Sequence, residues 1–252
     1  MAAAEPMIQV IDLHKSFGSN HVLRGVNLSV DEGSTCVILG TSGSGKTVLM
    51  KHVIGLLKPD SGRVIVDGED IVPMTPEQLA VIRRKFGMVF QGSALFDSMT
   101  VFENVSFALR EHTRMSDGEM HEVVRRKLEI VGLVGVEDKY PSDLSGGMRK
   151  RVGLARAIVL DPKIVLYDEP TTGLDPITTD YVDQMIIDAK KALGVTSVVI
   201  SHDVASAFKV GDTIAFLHGG RIVEQVPPKL LRQSQNPAVK VFLSTWFEKG
   251  EY

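Results

Sequence analysis

The nine residues Gly40, Thr41, Ser42, Gly43, Ser44, Gly45, Lys46, Thr47 and Val48 follow directly on an apolar run, Thr35–Leu39. Gly40, Gly45, Lys46 and Thr47 satisfy the spacing G-x-x-x-x-G-K-[ST] at every fixed position. The glycines let the backbone curl until successive N–H groups face one anion. A helix opening there adds its positive end. Lys46 then reaches the β- and γ-phosphates of a nucleoside triphosphate, and Thr47 offers a hydroxyl to Mg²⁺. This loop alone does not separate a kinase, a GTPase or a motor.

A second group of reactive residues closes the run "KIVLYDEP". Adjacent residues on a strand point to opposite faces, so Asp168 and Glu169 cannot share one task. At the carboxyl end of a parallel strand, Asp168 suits a water-mediated hold on Mg²⁺. Glu169 is then left to orient or deprotonate an attacking water. A third group is "LSGGMRKR", Leu144 to Arg151. Ser145, Gly146 and Gly147 would open a helix with bare N–H groups, a second anion site. Arg149, Lys150 and Arg151 follow in what reads as its first turn, where cations oppose the helix dipole at a cost of about 0.3–1 kcal/mol each. An anion nearby would offset that cost.

The elements that carry these groups are legible as a pattern. "MIQVIDL", "VLRGVNLSV", "TCVILG", "RVIVDG", "GMVFQ", "KIVLYDE", "TSVVISHD" and "TIAFLHGGRIVEQ" read as strands. "KTVLMKHVIGLL" reads as a helix with a wide apolar face from Val48 to Leu57. Thr75 with Gln78 and Ser116 with Glu119 form two capping boxes, the first with Pro76 at the first helical position. From about Thr100 to Val136 the strand pattern gives way to helix. "ITTDYVDQMIIDAKKALG" and the closing "NPAVKVFLSTWF" are also helical in pattern. The order implies an α/β fold: a mainly parallel sheet covered by helices, an antiparallel lobe at the start and a helical insertion.

The chain has 252 residues, enough for one large domain with a real core. A net charge of −3 gives no nucleic-acid footprint. The single cysteine, Cys36, lies in the apolar run before the glycine loop and reads as a buried, inert thiol in a reducing compartment. "MAAAEPMIQV" lacks the basic and apolar regions of a signal peptide. No apolar run approaches the roughly 18 residues that span a bilayer, so the chain is expected to be soluble, and if it works at a membrane another chain must hold it there.

With these motifs in hand, the chain resembles the nucleotide-binding subunit of an ABC transporter along nearly its whole length. Leu144–Met148 matches the signature LSGGQ except at Met148, Gly40–Thr47 matches Walker A, and Ile164–Asp168 matches Walker B. Gln91 falls at the Q-loop, Leu174 and Asp175 in a D-loop-like "GLDP", His202 at the switch histidine, and Phe17 at the aromatic that stacks on adenine. The resemblance implies a P-loop NTPase fold of RecA-like type forming a single ABC ATPase domain. Residues 7–91 and 157–230 would form its core, 92–156 the helical subdomain and 231–252 a C-terminal helical tail. It implies ATP and Mg²⁺, with Gly40 to Val48 around the nucleotide and Thr47, Gln91 and Asp168 about the metal. It also implies catalytic roles for Glu169, His202 and Gln91. Two copies would pair head to tail, so that Leu144, Ser145, Gly146, Gly147 and Met148 close on the partner's ATP.

"QGSALFDSMTVFENVSFALRE", with "LSGGMRKRVGLARAI" and "YDEPTTGLDPI", resembles the Mla/Mce-type ATPases of bacterial lipid transport more than sugar, amino-acid or drug transporters. That resemblance implies membrane permease subunits, lipid-binding MCE-type and accessory subunits, and a peripheral place on the cytoplasmic face of the bacterial inner membrane. A permease would dock near Gln91, Leu95, Phe96 and Phe102. Met148 cannot supply the hydrogen bonds of the usual glutamine. About thirty residues follow the last strand, too few for a further regulatory domain. A polar-solute importer of the same fold is the alternative. A soluble ABC-type ATPase acting on DNA or ribosomes fits the mild acidity less well.

Overall fold

The computed structural model describes residues 5–247. Residues 1–4, and 248–252 at the end of the expected tail, lie outside the described residues. The chain opens with strands β1 (Ile8–Phe17), β2 (Asn20–Val30) and β3 (Thr35–Leu39), then helix α1 (Lys46–Val53). Next come β4 (Ser61–Val66), β5 (Glu69–Asp70), α2 (Pro76–Arg83) and β6 (Phe86–Phe90). The helices α3 (Val101–His112), α4 (Asp117–Ile130) and α5 (Gly146–Ala157) follow, then β7 (Ile164–Asp168) and α6 (Pro176–Leu193). The chain closes with β8 (Thr196–Ser201), α7 (Val204–Val210), β9 (Thr213–His218), β10 (Arg221–Val226), α8 (Pro228–Leu231) and α9 (Pro237–Phe247). It divides into two bodies: the chain up to Arg83 together with Thr196 onward, and Arg84–Val195.

The first body holds two sheets. One is antiparallel, in the order β2-β1-β4-β5. Ile8 and Val10 of β1 face Val66 and Val64 of β4, and all four are buried, so the period-2 pattern sets the register. In the other, β3 lies parallel between β8 and β9, and β10 returns antiparallel along β9. Every residue of β3 and β8 is buried, as expected for strands covered on both faces. The run "TIAFLHGGRIVEQ" is two strands because Gly219 and Gly220 take φ of 56° and 78°, the conformation a tight hairpin needs. In the second body β6 pairs parallel with β7, accompanied by α3, α4, α5 and α6. These are the antiparallel lobe, mainly parallel sheet and helical segment that the apolar pattern predicts.

Both expected capping boxes form. Thr75 and Gln78 exchange backbone-to-side-chain hydrogen bonds at the start of α2, and Ser116 and Glu119 do so at α4. Helix α1 is shorter than its apolar spacing predicts. It stops at Val53, Gly55 takes φ of 70°, and the Arg83 guanidinium donates to the carbonyls of Ile54 and Gly55. A side chain 28 residues away thus ends the helix, and Leu56 is left exposed.

His52, on the last turn of α1, is buried. Its Nδ1–H donates to Val48 O at 2.7 Å, while Nε2 is buried without a hydrogen-bond partner. Burial pushes its pKa below the ordinary value, assisted by Lys15 and opposed by the Val48 carbonyl, the Lys58 carbonyl and Asp60. A histidine with a depressed folded pKa binds fewer protons folded than unfolded just below its ordinary pKa of about 6.5. Stability is therefore full above that pH and falls as acid is added, until the folded pKa is passed. His52→Leu should lose less stability between neutral pH and pH 5 than the unmodified chain. Urea midpoints at both pH values measure this, and equal losses would assign the acid sensitivity elsewhere.

Candidate functional site

The phosphate loop belongs to the first body. Strand β3 delivers Gly40 to a crowded position, where a Cβ would stand 2.5 Å from Leu217 O. Gly43 and Gly45 take φ of 76° and 103°, a region closed to most side chains. Gly45 is the N-cap of α1 and no side chain caps that end, so the helix keeps its leading N–H groups for an anion. Lys46 is buried, its Nζ donating to Gly40 O at 2.9 Å and Thr41 O at 3.1 Å. Ser44 Oγ is buried in the loop without a partner. A buried hydroxyl, a folded-in ammonium and a bare helix end together fit a phosphate chain. Thr41, Ser42 and Thr47 are exposed, and Val48 is half-buried.

Two further residues expected at the nucleotide lie in the same body. Val22 and Leu23 of β2 stand against Gly45, so the hairpin that carries Phe17 borders the loop. The Phe17 ring is 48% exposed, open for stacking, with Lys15 Nζ 5.5 Å from its centroid. His202 follows β8, just before α7 and its N-cap Asp203. It lines a cavity of about 730 Å³ with Thr41, Phe216, His218 and Phe242. His202 and the start of the phosphate loop are thus brought together.

The second body carries the carboxylates. They diverge for a reason other than strand alternation. Strand β7 ends at Asp168, and Glu169 is already in the left-handed region at φ 50°. Its Oε2 accepts from the Thr172 hydroxyl at 2.7 Å. Thr172 was absent from the sequence reading, although a hydroxyl three residues after an acid in "EPTT" is a recognisable local hydrogen-bonding pattern. Asp168, Thr47 and Gln91 offer carboxylate, hydroxyl and amide oxygen, the hard donors that suit Mg²⁺.

Helix α5 opens as the sequence predicts, with Ser145 as N-cap accepting from Met148 N. The three cations behind it do not all wait for an anion. Arg149 ends the first turn and donates to Leu144 O at 2.6 Å, Arg151 donates to Gly132 O at 3.0 Å, and Lys150 donates to Pro170 O. Carbonyls thus absorb part of the charge, and burial pushes the Lys150 pKa down. Asp175 caps α6 through the N–H groups of Ile177 and Thr178. The Thr178 hydroxyl holds its carboxyl below the usual range. Gln91, Ser145, Gly146, Gly147, Leu174 and Asp175 share one hollow of about 770 Å³. Leu144 is buried behind it. Phe102, expected at a docking face, is instead buried, its ring stacked 3.7 Å from that of His121.

A family model described as ABC transporter matches residues 23–172. The "Probable ribonucleotide transport ATP-binding protein mkl" of Mycobacterium leprae (strain TN) is 44% identical over 237 residues, which cover 94% of this chain and 68% of that protein. The "Intermembrane phospholipid transport system ATP-binding protein MlaF" of Escherichia coli (strain K12) is 39% identical over 237 residues, covering 94% of this chain and 88% of that protein. Among solved structures, the dimeric post-hydrolysis state of the ATP-binding cassette MJ0796, bound to ADP and Pi, gives a TM-score of 0.78 at 32% identity. It covers 88% of this chain and 99% of that one.

Proposed function

Because this chain belongs to the ABC transporter family and is an ATPase whose hydrolysis is coupled to transport, we propose that its cargo is a phospholipid or related lipid, moved through a separate membrane permease. The observation that carries this is the similarity to MlaF, which extends over 94% of the chain and is named for phospholipid transport. Lipid-binding MCE-type and accessory subunits would complete the system at the cytoplasmic face of a bacterial inner membrane. Among the described residues no helix is long and apolar enough to cross a membrane, which leaves the spanning work to the permease.

In this reading Phe17 stacks on adenine, and the curled backbone from Gly40 to Val48 wraps the phosphates. Lys46 neutralises the β- and γ-phosphates. Thr47, Gln91 and Asp168 would hold Mg²⁺, which when bound would supply positive charge at the phosphoryl group. Glu169, oriented by Thr172, takes the proton of the attacking water, and His202 contacts the γ-phosphate. Two copies pair head to tail, with Leu144 to Met148 of each closing on the nucleotide of the other. That the MJ0796 cassette is a dimer with ADP and Pi bound supports the pairing of two copies. Met148 leaves the signature one side-chain hydrogen bond short of the family pattern. Residues 92–156 act as the helical subdomain.

The docking face we propose is aromatic. Phe90, Phe96 and Phe107 are 41%, 45% and 40% exposed and line one hollow of about 510 Å³ in the second body. The Phe96 and Phe107 rings lie 5.4 Å apart. Leu95 is half-buried beside them. Exposed aromatic clusters of this kind mark sites that bind an apolar partner. Phe107→Asp should detach the chain from its permease, lowering co-purification by about tenfold or more while the chain stays folded. Full retention of the charged variant would move docking elsewhere.

The name of mkl favours a second cargo, a ribonucleotide. The deciding experiment reconstitutes the whole complex with labelled phospholipid and, separately, with labelled ribonucleotide. ATP-dependent movement of the lipid alone is expected. Movement of the ribonucleotide alone removes the lipid assignment and leaves the ATPase intact.

A further inference from the structure

We infer that Arg156 is a positioning residue that ties the loop after Gln91 to the helix opening at Ser145, so that the signature, the Q-loop and the docking face move as one piece. The inference rests on the permease-coupled reading above. Ser93 and Ala94 follow Gln91 by two and three residues, and both are left-handed, at φ 62° and 48°. Neither is glycine. Residues in that region persist only where the surroundings hold them. The surroundings here are specific. Arg156, near the end of α5, donates from one guanidinium nitrogen to Ser93 O at 2.9 Å and from the other to Ala94 O at 2.8 Å. Its third contact is the Phe96 ring, 5.9 Å away. Ser93 is buried and rests on α5 at Gly153, where a Cβ would meet the Ser93 Cβ at 3.3 Å and its carbonyl oxygen at 3.4 Å.

The far side of the loop is pinned as well. Asn104, fully buried on α3, accepts from Phe96 N at 2.8 Å and donates to the carbonyls of Phe96, Met99 and Thr100. The short stretch Gln91–Gly92 is therefore attached to a fixed loop. Arg156 and Ser145 lie at opposite ends of one unbroken helix, so a tilt at the signature displaces both carbonyls and, with them, Gln91. Gln91 and Ser93 also line the same hollow as Ser145 and Gly147. The guanidinium presents two nitrogens in a fixed planar fork, one to each carbonyl, with its face toward the Phe96 ring, a geometry that the single ammonium of lysine does not reproduce.

The test uses the full complex of this chain with its permease. Arg156→Gln should lower permease-coupled ATP turnover by about tenfold, the size of effect typical of residues along a coupling network. The KM for ATP should stay within about twofold, because the lesion touches no nucleotide contact. Adding Ala94→Gly should recover at least about threefold of the lost turnover, since glycine takes the left-handed conformation without the clamp. A purely structural arginine would not be rescued by a loop glycine. Gly153→Ala keeps the test open if Arg156→Gln does not fold. Alanine favours a helix but would stand 3.3 Å from the Ser93 Cβ, so the two effects on stability oppose each other and the variant should stay folded by circular dichroism. Turnover should nevertheless fall, because Ser93 loses its seat. Arg156→Gln turnover close to normal, no rescue by Ala94→Gly, or normal turnover in Gly153→Ala would each overturn the clamp. A native complex without permease-dependent turnover would instead remove the reading on which the clamp rests.

Discussion

Glu169→Gln should reduce steady-state phosphate release by about a hundredfold or more while ATP still binds. The amide keeps the size and shape of the carboxylate, and it can still accept from the Thr172 hydroxyl that holds Glu169 Oε2. It cannot take a proton. Glu169 also sits at φ 50°, a conformation set by the end of β7 and not by the identity of the side chain, so the backbone should survive the change. In the proposed mechanism reopening of the pair waits on hydrolysis, so the variant should accumulate as a dimer in Mg-ATP. Phosphate release and gel filtration read the two effects. Turnover within about threefold of normal would remove Glu169 as the base, since a general base contributes far more than that.

Ser145→Arg should abolish ATP hydrolysis and leave nucleotide affinity of the isolated chain nearly unchanged. In the proposed mechanism Ser145, the N-cap of α5, serves the partner's nucleotide, while Lys46 and its loop hold the chain's own. On the proposed pairing a bulky cation at the cap would block this end from the partner's γ-phosphate, and the loss of the cap would add a local cost of about 1 kcal/mol. Lys46→Ala should show the opposite pattern, losing affinity in the isolated chain. Mixing the two variants should restore at most one competent site per mixed dimer, the one free of both lesions. Isothermal titration with a non-hydrolysable nucleotide separates them. Loss of affinity in isolated Ser145→Arg would place the signature in the chain's own pocket instead.

The segments that these variants touch are local in the sequence. The phosphate loop is a contiguous motif, and its conformation follows from three glycines and a helix start within nine residues. The capping boxes at Thr75 and Ser116 were legible for the same reason: each is a pair of hydrogen bonds between residues three apart. Strands β3, β7 and β8 announced themselves because burial on both faces leaves consecutive apolar residues at 36–39, 164–167 and 198–200.

Where the reading fell short, the deciding contact came from elsewhere in the chain. The end of α1 depends on Arg83, and the cations after the signature turn to the carbonyls of Leu144, Gly132 and Pro170. Phe102 and Phe107 lie five residues apart on one helix, yet one stacks on His121 in the interior and the other faces out. Arg156 looks like one more cation on an amphipathic helix until Ser93 and Ala94 are seen beneath it, 63 and 62 residues earlier in the chain. Hydrogen bonds within a turn are written in neighbouring residues, so the sequence by itself determined the glycine loop, the caps and the runs that become buried strands. Which side chain meets which distant carbonyl depends on how helices and strands pack, and only the tertiary structure decided the fork on the Q-loop, the turn of Glu169 and the aromatic face.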